Sequence, residues 1–159
     1  MPRSPAKLPH FALPCNPRLP QAALEFRLLH GLTTAKFLGA INITAWLYRD
    51  KAGVEGIQVN PNTTIQELIR QFGRAETPDA ETGIHSEMNA GEWFRLRPYL
   101  QVMQIFSERI PCSKMCGPML TAYFTGVPWY YYYDKRSWTG LDGKLIKYPA
   151  DALRVAYGL

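Results

Sequence analysis

Cysteine is scarce in this sequence and long apolar runs are lacking, and each absence excludes a class of protein. Three cysteines occur in 159 residues, and their spacing does not repeat. This pattern disfavours the disulfide framework of small secreted domains and leaves the thiols available for metal binding or chemistry in a reduced compartment. No apolar run reaches the roughly 18 residues that a membrane span needs, and the N-terminus lacks an apolar signal core. The sequence therefore predicts no membrane span.

Acidic residues are also in the minority. Asp and Glu number 13 against 18 Lys and Arg, for a net charge of +5, and aromatic residues make up 13% of the chain. This balance favours a polyanionic partner only mildly. A chain of this size buries roughly 70% of the surface that its unfolded form exposes, so we expect one domain with a single core.

The N-terminal segment differs in composition from the rest. Residues 1–20 contain six of the thirteen prolines and no acidic residue, and such a composition cannot sustain a helix or an inner strand. We predict a Pro-rich linker or arm over 1–20 and a folded domain over 21–159, belonging to a longer polypeptide.

Apolar periodicity and turn residues predict an α/β domain with the order α-β-β-α-α-β-α-β-β-α. The predicted helices cover 21–31, 62–73, 84–98, 112–126 and 150–159. The apolar face of the first is predicted from the near-helical spacing of Ala22, Leu24 or Glu25, Phe26 and Leu29. The predicted strands cover 41–47, 57–59, 100–108, 127–134 and 143–149. The connection between the last two strands is shorter than the dozen residues that a parallel crossover needs, so these strands should be antiparallel.

Two of the predicted helices begin with residue types that bind metals. His85 and Glu87 stand in "HSE", and Cys112 and Cys116 stand in "PCSKMC". One imidazole and two thiolates make three zinc ligands and leave a fourth position open, which distinguishes a catalytic zinc site from a closed structural one. Glu87 is placed to hydrogen-bond a metal-bound water, as a general acid and base does. In an open cleft, its carboxylate is expected to contribute little to packing.

Two other interpretations of the cysteines compete with this one. Cysteines at helical spacing in a reduced protein are often two buried small apolar residues. Alternatively, Cys15 and His10 complete a closed four-ligand site with Cys112 and Cys116, which would make the chain a structural zinc module.

The arrangement "HSE", twenty-three residues, "PCSKMC" resembles the signature of the zinc-dependent nucleic-acid and nucleotide deaminases. The resemblance spans roughly residues 21–159. The chain is similar to the vertebrate polynucleotide cytosine deaminases and, more closely, to deaminase toxins at the C-termini of bacterial polymorphic toxins. The chain departs from the most familiar members in having three residues between the cysteines, an extra helix before "HSE", and "SERI" before the cysteines.

The resemblance implies a cytidine-deaminase-like three-layer fold, with a five-stranded mixed sheet and helices on both faces. It implies one zinc ion per chain, held by His85, Cys112 and Cys116, and a Glu87 that moves protons as cytosine in single-stranded DNA becomes uracil. It further implies an interbacterial toxin domain that acts in the recipient's cytoplasm and is restrained by an immunity protein. We expect a monomer. Double-stranded DNA, RNA or a free nucleoside as substrate, and a non-catalytic zinc-stabilised nucleic-acid-binding module, are the alternatives.

Substrate contacts are predicted in three regions: the exit of the tyrosine-rich strand, the end of the second strand, and the segment before the cysteines, where solvation alone is the alternative for Arg109. Aromatic and basic residues follow the tyrosine-rich strand, as binding of single strands requires, and the resemblance implies that this loop selects the neighbouring base. Asparagines leave the second strand, where related deaminases place one against the nucleotide; ordinary turn chemistry is the alternative. The candidates are Asn60, Asn62, Ser107, Arg109, Tyr133, Lys135, Arg136 and Trp138.

Overall fold

The computed structural model describes residues 15–62, 85–109, 116–134, 139–140 and 149–159. The helices within these ranges are α1 (Arg18–Leu29), α2 (Ala35–Ala40), α3 (Ser86–Arg95), α4 (Cys116–Tyr123) and α5 (Pro149–Tyr157). The strands are β1 (Ile43–Arg49), β2 (Glu55–Pro61), β3 (Gln101–Arg109), β4 (Trp129–Asp134) and β5 (Thr139–Gly140). Apart from one end residue each, the helix predicted over 62–73 and the strand predicted over 143–149 lie outside the described residues.

The strands form one mixed sheet in the order β2-β1-β3-β4-β5. Strand β1 is antiparallel to both β2 and β3, whereas β3 and β4 run parallel. The α/β class is therefore confirmed. The two residues of β5 pair antiparallel with the end of β4. The predicted antiparallel partner of β4 was the segment 143–149, whose pairing stays a prediction.

A hairpin connects β1 to β2, as the turn residues predict. The Asp50 carboxylate accepts hydrogen bonds from the backbone N–H groups of Ala52 and Val54, at 2.8 and 2.9 Å. Gly53 has a φ of 82°, a left-handed conformation that glycine adopts without strain. The turn is thus closed by its own side chain, which fixes the register of the two strands.

Strand β1 divides the core in two because its residues alternate between the faces of the sheet. Ile43, Ala45 and Leu47 belong to a cluster with buried residues of α1, α2 and α5. Trp46 belongs to a second cluster, which contains buried residues of α3 and α4. Helices therefore cover both faces of the sheet.

Helices α3 and α4 pack closely on their shared face. A Cβ atom at Gly91 would lie 3.0 Å from Met119 Sδ, so only glycine fits there without a shift of the methionine. Ala90, Phe94 and Leu120 are buried around this contact. The packing brings together the first turns of the two helices that carry the predicted metal ligands.

Helix α1 differs from its prediction in both start and buried face. It begins at Arg18, inside the predicted arm, because proline is compatible with the first turn of a helix. Leu19, Ala23, Leu24 and Arg27 are fully buried, whereas Leu29, which was predicted on the apolar face, is 79% exposed. The short helix α2 was not predicted.

No helix among the described residues has the length and apolarity that crossing a bilayer requires.

Candidate metal centre and carboxylate

Those predicted site residues that the structure describes lie at one end of the sheet, where β2, β3 and β4 end and β1 begins. The strand register places Asn60, Thr44, Ser107 and Tyr131 in one row across β2, β1, β3 and β4. Helix α3 begins above this row. Its Asn89 side chain donates to the backbone carbonyl of Pro61 at 3.0 Å and so ties the helix to β2.

His85 and Cys116 meet at this end, as the motif predicts. His85 caps α3 in an extended conformation, and its Nδ1 lies 3.2 Å from the Sγ of Cys116, the fully buried first residue of α4. The other ring nitrogen, Nε2, is buried and has no hydrogen-bond partner within the described part of the chain. A metal ion bound at Nδ1, beside Cys116 Sγ, would leave Nε2 as the N–H donor of the ring.

The geometry and chemistry of the donors fit zinc. One ligand atom from each of His85, Glu87 and Cys116 lies within 4.8 Å of the other two, and such a group could hold a metal ion. A nitrogen and a sulfur bound to one tetrahedral zinc ion lie roughly 3.5 Å apart, given bonds of about 2.0 Å to nitrogen and 2.3 Å to sulfur. The 3.2 Å between His85 and Cys116 is within a few tenths of that separation. The third predicted ligand, Cys112, lies outside the described residues.

The Glu87 carboxylate is buried, contrary to the open-cleft expectation. Glu87 is 3% exposed, and its Oε1 accepts from Asn42 Nδ2 at 3.0 Å and from Ser107 Oγ at 2.6 Å. Its Oε2 accepts from Ser86 Oγ at 3.2 Å. Removal of this side chain would leave buried donors without their partner, so Glu87 contributes to stability.

Asn42 is the member of this network that the sequence did not reveal. It lies directly before β1, is 8% exposed, and donates from Nδ2 towards Ser86 at 2.7 Å, Glu87 at 3.0 Å and Ser107 at 3.0 Å. Its Oδ1 accepts from the backbone N–H of Arg109 at 3.0 Å. A single asparagine before a strand resembles turn chemistry, so no local signal distinguishes it.

The residues predicted to contact substrate differ in their burial and in their hydrogen-bond partners. Ser107 is fully buried and holds Glu87 instead of lining an open surface. Asn62 donates from Nδ2 to the carbonyl of Ala40 at 3.4 Å, and the Arg109 guanidinium donates to the carbonyl of Gly39. Asn62 Oδ1 and Arg109 Nε are buried without a partner among the described residues. Both side chains are therefore anchored to the end of α2 beside the site.

Asn60 and two tyrosines of β4 have partners within the fold. Asn60 Oδ1 accepts from Gln58 Nε2 at 3.1 Å. Tyr132 is buried and Tyr130 packs against the same cluster, so this pair of tyrosines belongs to the core. Tyr133 pairs with Arg109 through the sheet register, but its side chain and residues Lys135, Arg136 and Trp138 are outside the described part.

Cys15 does not share the site with Cys116. It is 8% exposed and packs in the cluster of α1 and α5, whereas α4 packs on the opposite face of the sheet. Burial raises the pKa of the Cys15 thiol from 9.0 to about 12, which disfavours the thiolate that zinc binds. The closed zinc site with Cys15 as a ligand is therefore disfavoured by position and by chemistry.

A groove of about 430 Å³ opens elsewhere, at the C-terminal end of α3. Phe94, Pro98, Val102 and Phe124 contribute to its lining. It contains no histidine, cysteine or carboxylate among its lining residues, so it offers no reactive group comparable to those around His85.

No protein-family model, curated protein or solved structure matches the chain. The chemistry of the site is therefore the basis for assigning a function.

Proposed function

We propose that this domain is a zinc-dependent deaminase that converts cytosine to uracil in single-stranded DNA. The observation that carries the proposal is the grouping of His85, Glu87 and Cys116 at the starts of two adjacent helices, with one ligand atom of each within 4.8 Å of the others. An imidazole, a thiol and a carboxylate in this arrangement supply two metal ligands and one group that can move protons.

The fold supports the same proposal. A cytidine-deaminase-like architecture requires a mixed sheet with helices on both faces, and the helix of "HSE" must lie beside the helix of the cysteines. The mixed sheet, the two core clusters and the close approach of α3 and α4 at Gly91 meet these requirements. The cytidine-deaminase-like fold is thus part of the proposal.

His85, Cys112 and Cys116 would hold the zinc ion. When bound, zinc supplies Lewis-acid activation of water near neutral pH. Glu87 accepts a proton from the attacking water, delivers it to N3 of the cytosine, and assists the departure of the amino group as ammonia. Cytosine and water are consumed, and uracil and ammonia are released. The buried setting of Glu87 excludes bulk water from these transfers.

Nucleic acid is the proposed substrate because the chain is basic and the target atom must be accessible. The net charge of +5 favours a polyanion, and C4 of a stacked cytosine cannot be reached until the base leaves the duplex. The role as an interbacterial toxin domain, its action in a recipient's cytoplasm and its immunity protein rest on the motif resemblance and are proposed with it.

The deciding experiment is deamination of a single-stranded oligonucleotide by the purified chain and by Glu87→Gln. Gln has nearly the shape of Glu but cannot accept the water's proton, so activity should fall roughly 10²- to 10⁴-fold, the contribution of general acid and base catalysis. Zinc content should stay at the wild-type value. Uracil is measured by excision and strand cleavage.

The matched control is Glu92→Gln on the same helix. Glu92 is exposed and pairs with Arg95 at 3.2 Å, so its replacement should leave activity near wild type. Wild-type protein that carries zinc but forms no uracil from DNA, RNA or cytidine would reject the enzyme and favour the zinc-stabilised binding module. Full activity of Glu87→Gln would reject the role of this carboxylate.

A further inference from the structure

We infer that Asn42 is a positioning residue that orients the Glu87 carboxylate, so that one oxygen is anchored and the other, which is held by a longer hydrogen bond, serves the reacting water. The catalytic part of this inference rests on the proposed function. The contact itself does not, since Asn42 Nδ2 lies 3.0 Å from Glu87 Oε1 whatever reaction the site performs.

The orientation of the Asn42 amide is fixed by the groups around it. The backbone N–H of Arg109 can only donate, and it lies 3.0 Å from Asn42 Oδ1, so the oxygen of the amide must face β3. The amino group then faces the Glu87 carboxylate, which can only accept when ionised. A flipped amide would lose both interactions, so the amide has one orientation.

Ser107 and Ser86 extend this arrangement. The Ser107 hydroxyl donates to Glu87 Oε1 at 2.6 Å, and its lone pair can accept from Asn42 at 3.0 Å. The Ser86 hydroxyl accepts from Asn42 at 2.7 Å and donates to Glu87 Oε2 at 3.2 Å. The two N–H groups of Asn42 thus face three acceptors, the carboxylate and both hydroxyls, so one N–H is shared between two of them.

The two carboxylate oxygens are consequently unequal. Glu87 Oε1 accepts two hydrogen bonds, at 3.0 and 2.6 Å, while Oε2 accepts one at the longer distance of 3.2 Å. The geometry points to Oε2 as the oxygen that exchanges the proton with water, and to Oε1 as the anchored one. Proton transfer depends on such placement to within tenths of an ångström.

Asn42 also joins this carboxylate to the strand that leads to the cysteines. Its Oδ1 holds the N–H of Arg109, the last residue of β3 and three positions before Cys112. One side chain thus contacts both the helix of the proton-transfer group and the strand that precedes a predicted metal ligand. We expect its loss to misplace Glu87 relative to the metal while the metal remains bound.

The first test compares kcat and KM for Asn42→Ala and Asn42→Asp. Asp keeps the size of Asn and an acceptor for the Arg109 N–H, but it replaces the donor by a second carboxylate facing Glu87. A positioning role predicts that kcat falls at least about 10-fold in Asn42→Ala and further in Asn42→Asp. KM should change less than about two-fold, with zinc content retained. A packing role predicts the opposite order, because Asp fills the space of Asn and Ala does not.

The second test is a double-mutant cycle on unfolding, which requires no activity. If Asn42 and Glu87 interact, the unfolding equilibrium constant of Asn42→Ala/Glu87→Ala should depart about five-fold from the product of the single effects. Asn89→Ala is the matched control, since Asn89 is on the same helix as Glu87 but donates to the backbone carbonyl of Pro61. It should show no coupling to Glu87→Ala.

The two tests distinguish failure of the proposed deaminase function from failure of the proposed role of Asn42. Coupling in a chain that deaminates nothing would reject the proposed function and retain the Asn42–Glu87 contact. Additive unfolding effects would overturn the inference, as would a wild-type kcat in Asn42→Asp. Should Asn42→Ala fold poorly, Ser107→Ala, which removes the other donor to Glu87 Oε1, must lower kcat with KM unchanged for the inference to stand.

Discussion

The guanidinium of Arg27 donates to both carboxylate oxygens of Glu108, at 2.9 and 2.6 Å, and both side chains are fully buried. The same carboxylate accepts from the backbone N–H of Ile43 at 2.9 Å and from the hydroxyl of Tyr157 at 2.6 Å. Arg27 also donates to backbone carbonyls on both sides of α2, at 2.8 and 2.7 Å. This network joins α1, β1, β3 and α5 directly beside Ser107.

Breaking this ion pair should be among the most destabilising single changes in the chain. Arg27→Met retains much of the apolar stem but leaves the Glu108 charge buried, which typically costs about 3 to 5 kcal/mol. Urea unfolding monitored by tryptophan fluorescence measures the loss. The control is Arg95→Met, because the Arg95–Glu92 pair is more than half exposed and such pairs contribute about 0 to 1 kcal/mol. Equal losses in the two variants would contradict the structural role of the buried pair.

Elements of the fold that depend on local signals were predicted from the sequence, whereas features that depend on distant partners were not. The hairpin of β1 and β2 was predictable because its alternation and its Asp and Gly turn are local signals. The buried face of α1 was not, since Arg27 counts as polar in any periodicity and its partner Glu108 is 81 residues away. A charge can be buried only when such a partner is present.

In the candidate site, too, local sequence patterns identified some residues, and contacts between distant residues determine the others. His85, Glu87 and Cys116 were predictable because the residue types and their spacing specify a chemistry. Asn42 was not, because its contacts with Ser86, Glu87 and Ser107 span 44, 45 and 65 residues. Only the fold brings these polar groups together.

Zinc stoichiometry should distinguish the three cysteines. We expect one zinc ion per chain, lost in Cys112→Ala and Cys116→Ala and retained in Cys15→Ala. Cys116 lies 3.2 Å from His85 Nδ1, whereas Cys15 packs in the cluster on the opposite face of the sheet. Elemental analysis of the purified variants after dialysis gives the stoichiometry. Loss of zinc in Cys15→Ala would favour the structural zinc module.

The buried thiol of Cys15 should react slowly with alkylating reagents. Burial raises its pKa from 9.0 to about 12, so near pH 8 its thiolate fraction should be about 10³-fold below that of an unperturbed thiol. Peptide-resolved mass spectrometry of iodoacetamide labelling measures the rate, with urea-unfolded protein as the reference. Equal rates in the folded and unfolded chain would contradict this burial.

The same shift predicts how Cys15 affects stability at high pH. The folded chain favours the neutral thiol, so its contribution is complete below pH 9 and is lost as pH rises towards about 12. The free energy of unfolding of the wild type should therefore fall more steeply over this range than that of Cys15→Ala. Denaturant unfolding at several alkaline pH values gives both slopes, and parallel slopes would contradict the prediction.

The last prediction concerns the form of the DNA. The target atom is inaccessible in a stacked duplex, and the energy of unstacking a base favours substrates that are already single-stranded. We therefore expect deamination of a single-stranded oligonucleotide to be much faster than that of the matched duplex. Activity should fall as salt rises, with a slope of about 0.7 in log–log terms for each phosphate neutralised.

A duplex with one unpaired cytosine is the matched control, because it has the charge of the duplex and the accessibility of the single strand. Activity on this substrate close to that on the single strand would show that base accessibility is limiting. Equal activity on the fully paired duplex would mean that the protein extrudes the base itself, and double-stranded DNA would replace single-stranded DNA as the proposed substrate. Conversion of RNA or free cytidine at a higher kcat/KM than DNA would reject DNA as the substrate while leaving the roles of His85, Cys116 and Glu87 intact.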